Sequence, residues 1–119
     1  MYKHQQLDVW QESRRFVVRI YGLTRSFPSD ERFGLTAQLR RASVSIPSNI
    51  AEGAGRGSKR YFAQFVGIAT GSASEVETQL LIARDLELGN TDEIDSAIVE
   101  IRRIRKMLWG LREHYVNQV

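Results

Sequence analysis

The side chains best suited to binding a charged ligand in this sequence are arginines and lysines, which form three groups. The 119-residue chain carries 17 Lys and Arg against 14 Asp and Glu, a net charge of +3. Because guanidinium and ammonium groups bind phosphate, the three groups predict contacts with an anion or a nucleic acid. The predicted contact residues are Arg40, Arg41, Arg56, Lys59, Arg60, Arg102, Arg103, Arg105 and Lys106.

The charges are distributed unevenly along the chain. Residues 1–60 carry eleven basic and five acidic side chains, whereas residues 61–119 carry six basic and nine acidic ones. This asymmetry favours an interaction surface of one sign, and two solvated helix faces are the alternative explanation. Aromatic residues are not interleaved with basic ones along the sequence, so base stacking is not indicated.

Residues 53–59 resemble a nucleotide-binding loop only superficially. Gly53, Gly55 and Gly57 lie in this segment, but it lacks the Gly-Lys-Ser/Thr ending and follows a predicted helix rather than a strand. A phosphate bound at the start of the next helix, beside Arg56 and Lys59, stays open. The alternative is an ordinary turn capped by Ser58 with solvated basic residues.

The sequence shows no catalytic or metal-binding constellation. It has no cysteine, and its two histidines, His4 and His114, lie near the termini and do not follow a glutamate at the spacing of di-metal bundles. We therefore expect no enzyme activity, no metal and no cofactor. Glu75 is predicted to form a buried or interfacial ion pair with Arg40 or Arg41.

Apolar residues at helical spacing, turn residues and capping residues predict an all-α fold. One domain, residues 1–119, should form an antiparallel up-down four-helix bundle with helices at about 8–26, 30–54, 59–88 and 92–116. Residues 29–31 are expected to open the second helix and residues 91–93 to cap the fourth. Gly53, Gly55 and Gly57 are expected to end the second helix with left-handed backbone conformations.

The second helix carries the most informative pattern. One apolar stripe continues across Pro47, which predicts a kinked helix, although a helix that stops at Ile46 and restarts at Pro47 is the alternative. The stripe consists of Leu35, Leu39, Ala42, Ile46 and Ile50.

A second stripe on this helix and a stripe of small residues on the third helix predict self-association. Two contact faces exceed what so short a chain can cover with its own helices, and small residues allow close helix approach. The alternative is a central helix flanked on both sides within one domain. The predicted oligomer interface is Phe33, Ala37, Val44, Ala51, Gly67, Gly71, Ser74 and Thr78.

No segment approaches the ~18 apolar residues that a membrane span requires. The first six residues lack the apolar core of a signal peptide, so a cytoplasmic location is expected.

Several segments together carry a family resemblance, at positions 7–11, 20–21, 27–28, 33–36, 38, 40–42, 44–53, 55–56, 71–72 and 75–80. They resemble the small bacterial four-helix-bundle proteins encoded by 23S rRNA intervening sequences, which are also called ribosomal-protein-like. At Tyr61 and Thr70 the chain departs from the acid and the base that this family often carries. The resemblance extends distantly to the accessory variability protein of diversity-generating retroelements, and it implies a pentameric ring and a link to nucleic acid.

Two functions follow as hypotheses. The first is a non-enzymatic, self-assembling protein that binds RNA or DNA, or assists a partner protein, through basic helix faces. The second is an oligomeric protein-interaction scaffold without nucleic-acid contact, in which acidic residues 75–100 of one subunit meet the basic region of another.

Overall fold

The computed structural model describes residue 4 and residues 7–118, and it confirms an all-α fold with four long helices. In chain order these are α1 (Asp8–Thr24), α2 (Leu35–Gly55), α3 (Lys59–Asp85) and α4 (Thr91–Val116). A short 3₁₀ helix, Ser29–Glu31, lies in the connection between α1 and α2. None of the helices in the described part of the chain is long and apolar enough to cross a membrane.

Consecutive helices run antiparallel and form an elongated bundle. Its principal extents are 45 × 21 × 20 Å. The helix pairs α1–α2, α2–α3, α3–α4 and α1–α4 all pack together, which closes the bundle. The α1–α2 and α3–α4 connections lie at one end, where Gly89 approaches the Phe27 ring. At the other end, the Phe62 ring on α3 meets the Tyr115 ring on α4 at 4.8 Å between centroids.

The predicted apolar stripes form the core. Leu35, Leu39, Ala42, Ile46 and Ile50 on α2 are all buried, and α2 continues through Pro47 without a break. A row of apolar residues on α3, separate from the small-residue stripe, is buried as well. It includes the alanines Ala69, Ala73 and Ala83, which let α2 and α4 come close to the α3 axis. Burying one large aliphatic or aromatic side chain stabilises the fold by about 1.5–3 kcal/mol. The fully buried large side chains are Phe16, Phe62, Ile20, Leu39, Ile46, Ile50, Leu80, Ile94, Ile101, Ile104, Leu108 and Val66.

Two of the predicted helix starts differ from the structure. The predicted start of α2 near residue 30 is wrong, because residues 29–31 form the 3₁₀ helix and α2 begins at Leu35. The Glu31 carboxylate then accepts a hydrogen bond from the Leu35 N–H at 3.1 Å, satisfying one free donor of the first turn. The cap of α4 is Asn90 rather than Thr91, since the Asn90 side chain accepts from the Glu93 N–H.

The predicted roles of the glycines after α2 are correct only in part. Among the three, only Gly57 has a left-handed backbone, with φ 78°. Gly53 lies within α2, where a Cβ would come within 2.8 Å of the Phe65 Cβ, so this glycine permits the close approach of α2 to α3. The predicted cap of α3 is confirmed, because the Ser58 hydroxyl accepts from the Tyr61 N–H.

Helix α3 ends in a Schellman motif that places a charged residue in the left-handed region. The Leu88 N–H bonds to the Ala83 carbonyl and the Glu87 N–H to the Arg84 carbonyl, while Glu87 has φ 58°. A left-handed conformation costs a residue with a Cβ roughly 1–2 kcal/mol, and glycine avoids this cost.

We therefore expect Glu87→Gly to raise the free energy of unfolding by about 1 kcal/mol, because it removes backbone strain without removing a core contact. The change is measured by urea denaturation. Glu87→Ala is the control, since alanine loses the same carboxylate and keeps the strain. An equal gain from both variants would mean that the carboxylate, not the backbone, limits stability.

Candidate nucleic-acid interface

Most of the predicted arginine cluster on α4 is held in ion pairs across the bundle. Arg102 and Arg105 both pair with Glu77 of α3, with 2.6 Å between the Arg102 Nε and the Glu77 Oε2. Arg103 reaches Glu12 of α1 at 2.7 Å. A further pair joins Arg19 of α1 to Glu100 of α4. These pairs fasten α4 to both of its neighbours.

Glu77 is the most enclosed carboxylate of this network. Its side chain is 12% exposed, whereas those of Arg102 and Arg105 are 53% and 37% exposed. The hydrogen bond from Arg102 and the charges of both arginines hold the pKa of Glu77 below its usual value, although burial opposes this shift. A carboxyl with a lowered pKa stabilises the fold at neutral pH, and this contribution is lost as the pH falls through that pKa.

The network leaves this side of the bundle positively charged. Five cations, on Arg19, Arg102, Arg103, Arg105 and Lys106, face three carboxylates, on Glu12, Glu77 and Glu100. The guanidinium groups keep exposed edges, and Lys106 is exposed beside them. We call this set of five cations the α4 basic face. It retains a net charge of +2 and presents donors suited to phosphate oxygens.

Removing the Glu77 carboxylate should test this network. We expect Glu77→Gln to lower the free energy of unfolding at neutral pH by about 1–2 kcal/mol, since hydrogen bonds to charged groups are strong but these are partly exposed. The difference between variant and wild type should shrink as the pH falls through the lowered pKa of Glu77, because the wild-type carboxyl then loses its charge. Urea denaturation at neutral pH and at successively lower pH values measures this trend.

Glu52→Gln is the matched control, because the Glu52–Arg56 pair joins residues four apart and both side chains are about half exposed. This control should change stability by less than about 0.5 kcal/mol. A Glu77→Gln protein with wild-type stability at neutral pH would contradict the assigned role of Glu77.

Arg40 and Arg41 diverge despite being adjacent. Arg40 turns toward α1, where its Nε donates to the Thr24 Oγ1 at 2.9 Å and its guanidinium lies 4.5 Å from the Tyr21 ring centroid. Arg41 is exposed and lines a polar cavity of about 360 Å³ between α2 and α3, together with Glu75. Neither arginine pairs with Glu75 in the described part of the chain. The intrachain pairing predicted for Glu75 is therefore wrong, and a pairing across subunits stays a prediction.

Arg56, Lys59 and Arg60 gather at the end of the bundle where α2 turns into α3. Arg56 pairs with Glu52 at 3.0 Å, and its guanidinium lies 5.1 Å from the Phe65 ring centroid, so it is fixed to the turn. Lys59 and Arg60 are exposed, and Arg60 alone of the three lines the groove between α3 and α4. Their contact with an anion stays a prediction, and only Arg60 places it at this groove.

The groove between α3 and α4, which we call the α3–α4 groove, has a volume of about 760 Å³. Trp109 on its α4 side is 60% exposed, and Ile68 on its α3 side is 46% exposed. Arg112 lies across α3 at Gly67, where a Cβ would come within 2.8 Å of the Arg112 Nε. The other lining residues are Arg60, Ala63, Gln64, Thr70 and Val116.

Sequence reasoning missed Trp109 as a candidate binding residue. The available signal was Trp109 and Arg112 three positions apart on one helix, which places both side chains on one face. Their α3 neighbours, Arg60 and Gln64, stand more than forty positions away in the sequence, and only the antiparallel α3–α4 packing brings the four together.

The predicted oligomer interface is exposed in parts. Phe33 is 85% and Val44 39% exposed, and Ala37 and Ala51 are half-buried on α2. On α3, Gly71, Ser74 and Thr78 are exposed, whereas Gly67 lies under Arg112 of the same chain. A longer row of exposed or half-exposed α3 residues, spaced alternately by three and four, we call the α3 seam. It comprises Tyr61, Gln64, Ile68, Gly71, Glu75, Thr78 and Ile82.

Comparison with known proteins gives one family. Residues 5–110 match the sequence model of the family described as 23S rRNA-intervening sequence protein. A crystal structure from Bacteroides thetaiotaomicron, of a protein with unknown function from the S23 ribosomal protein family, is similar at a TM-score of 0.80 and 26% identity. That match covers 88% of this chain and 95% of the other. No curated protein matches the chain significantly.

Proposed function

Since the chain belongs to the 23S rRNA-intervening sequence protein family, we propose that it is a non-enzymatic, self-associating cytoplasmic protein that binds nucleic acid as an accessory factor. The α4 basic face is the observation that carries this proposal. It presents partly exposed guanidinium and ammonium groups that outnumber the three carboxylates paired with them. Such a surface suits a phosphate backbone and lacks any element for reading base sequence in a groove.

The charges at the two ends of the bundle differ, and this difference supports an approach of nucleic acid along the α4 basic face. The end formed by residues 25–35 and 84–95 carries three basic and seven acidic side chains. The opposite end, formed by residues 7–14, 52–60 and 109–118, carries five basic and four acidic side chains. The acidic end repels a polyanion, so nucleic acid should approach along the α4 basic face and away from that end.

We expect binding to be steeply dependent on salt. If about five phosphates are neutralised, the association constant for a structured RNA or a DNA duplex falls roughly 500-fold between about 50 and 200 mM salt. Fluorescence anisotropy measures it. Lys106→Gln should weaken binding to every sequence and reduce the salt slope by about one, because one phosphate contact is lost.

Arg84→Gln is the matched control for this series. Arg84 has the same charge but lies at the acidic end, paired with Asp95 at 3.1 Å, so its loss should leave binding unchanged. The absence of binding even at about 50 mM salt would contradict the proposal.

Self-association is supported by two separate exposed faces. The α3 seam carries Tyr61, Ile68 and Ile82, each more than 40% exposed, around the small residue Gly71. The other face carries Val44 on α2, one residue or about 100° away from Ser45, which hydrogen-bonds to Ser72 of α3, and Phe33 in the turn that precedes α2. Two different faces on one subunit favour a heterologous contact, which closes into a ring when the rotation permits. The family resemblance implies five copies.

The variant Gly71→Gln tests self-association without disturbing the fold of the monomer. A Cβ at Gly71 meets no atom within 4 Å, so the monomer should gain up to about 1 kcal/mol from higher helix propensity. The same side chain should block close packing of a neighbouring subunit on the α3 seam and lower the mass measured by light scattering.

Gly110→Gln is the matched control, because Gly110 is an exposed glycine within α4 whose added Cβ also meets no atom within 4 Å. This control should gain stability and keep the mass of the wild type. A wild-type mass for Gly71→Gln would exclude close packing at this part of the seam.

A protein-interaction scaffold without nucleic-acid contact is the second candidate function. The observation that favours it is the pairing of Arg102, Arg103 and Arg105 with carboxylates of the same chain. The two candidates differ in one result: a scaffold keeps its mass and binds neither RNA nor DNA at low salt.

A further inference from the structure

We propose that the α3–α4 groove binds an unpaired nucleotide of a single-stranded nucleic acid, with its base stacked on Trp109 and the adjacent phosphate held by Arg60 and Arg112. This inference rests on the proposed function and names the form of nucleic acid that it involves. It also reverses the expectation from sequence that base stacking plays no part.

Trp109 is exposed beside the groove. The residue is 60% exposed, although nearby core positions of α4 such as Ile104 and Leu108 are fully buried. Ile68 and Val116, at 46% and 40% exposed, extend the apolar surface around it. An exposed aromatic ring is the kind of side chain on which unpaired bases stack.

The α3–α4 groove is positively charged. Two of its lining residues, Arg60 and Arg112, are cationic, and none of them is acidic. The ion pair recorded for Arg112 joins it to the following residue, Glu113, at 3.6 Å with both side chains more than 40% exposed, which is a weak interaction. Both guanidinium groups therefore remain available to an anion.

Gly67 allows Arg112 to lie in the α3–α4 groove. Because Gly67 has no side chain, the Arg112 stem and guanidinium lie directly over α3, with the Nε 2.8 Å and the Cδ 3.3 Å from where a Cβ would be. Any other residue at this position would force Arg112 to move. The glycine that sequence reasoning assigned to an oligomer contact therefore places a cation within the groove that Trp109 lines.

The size and polarity of the α3–α4 groove suit a nucleotide. A volume of about 760 Å³ lies within the roughly 300–1,000 Å³ of small-ligand sites, enough for a nucleotide. Gln64 is exposed within the lining and offers an amide that can donate to and accept from a base edge. Paired bases are covered by their neighbours in a duplex, so the groove selects single strands.

Tryptophan fluorescence provides the test, because the chain has two tryptophans. In a Trp10→Phe protein, the signal comes from Trp109 alone. Titration with an eight-nucleotide oligouridylate or oligothymidylate at about 50 mM salt should quench this signal, since a stacked base quenches indole emission. A duplex of equal length should quench it much less. Uridine monophosphate serves as a further arm, and weaker binding of it shows that the strand, not a free nucleotide, is the ligand.

Three variants separate stacking from other causes. Trp109→Leu keeps an apolar side chain but removes the ring, and should weaken oligouridylate binding, followed by anisotropy, about 5- to 150-fold. Trp109→Tyr keeps a ring and should restore much of the affinity. Arg112→Gln should weaken binding and flatten its salt dependence, whereas Arg84→Gln at the acidic end should do neither.

The outcomes are distinct. An unquenched Trp109, or Trp109→Leu binding oligouridylate like the wild type, overturns the inference. If structured RNA still binds in a salt-dependent way in that case, the proposed function stands and another surface carries it. If no nucleic acid binds at all, both fail.

Discussion

The close packing of α3 against both of its neighbours is the constraint on which the rest of the structure depends. Four of the nine buried residues of α3 are alanines, which lets α2 and α4 approach its axis. At the turn into α3, Gly53 brings the α2 backbone onto Phe62 and Phe65. Most polar side chains of α3 lie on its outer surface. The polar cavity, the α3–α4 groove and the α3 seam are all built on that outer surface.

The same packing determines which carboxylate the arginines of α4 pair with. Glu77 lies on the α4 side of α3, mostly covered, so an uncompensated carboxylate there would be costly. Arg102 and Arg105 supply the compensation, and each remains partly exposed. The same guanidinium groups therefore stabilise the fold and belong to the proposed binding surface, because each pairs with the carboxylate and remains partly exposed to solvent. An ion-pair network of this kind keeps a basic face fixed in orientation as well as charged.

The sequence predicts the helices and the core well, because periodicity of apolar residues is a local property. The buried stripe from Leu35 to Ile50 follows from spacing alone, and so does continuity through Pro47. The start of α2 does not follow from spacing, because Glu31 caps the helix from a preceding 3₁₀ turn while Gly34, at the N-cap position, has a non-helical backbone with φ −103° and ψ −115°. Spacing also does not predict that Glu77, rather than Glu75, forms the ion pairs, because this depends on how α3 is rotated in the bundle.

The candidate sites depend on register, which neither composition nor spacing supplies. Trp109 and Arg60 line the same groove only because α4 returns along α3 in one specific alignment. Gln64 and Ile68 then belong both to the α3–α4 groove and to the α3 seam. A subunit packed on the seam would therefore border the groove and form an outer wall for it. A ring would place one such groove on every subunit at a fixed spacing, so one strand could engage several grooves at once. Linked sites of this kind bind far more tightly than any single site, because each bound nucleotide raises the local concentration of the next. In this arrangement assembly is a condition for tight binding, even though each Trp109 lies within a single chain.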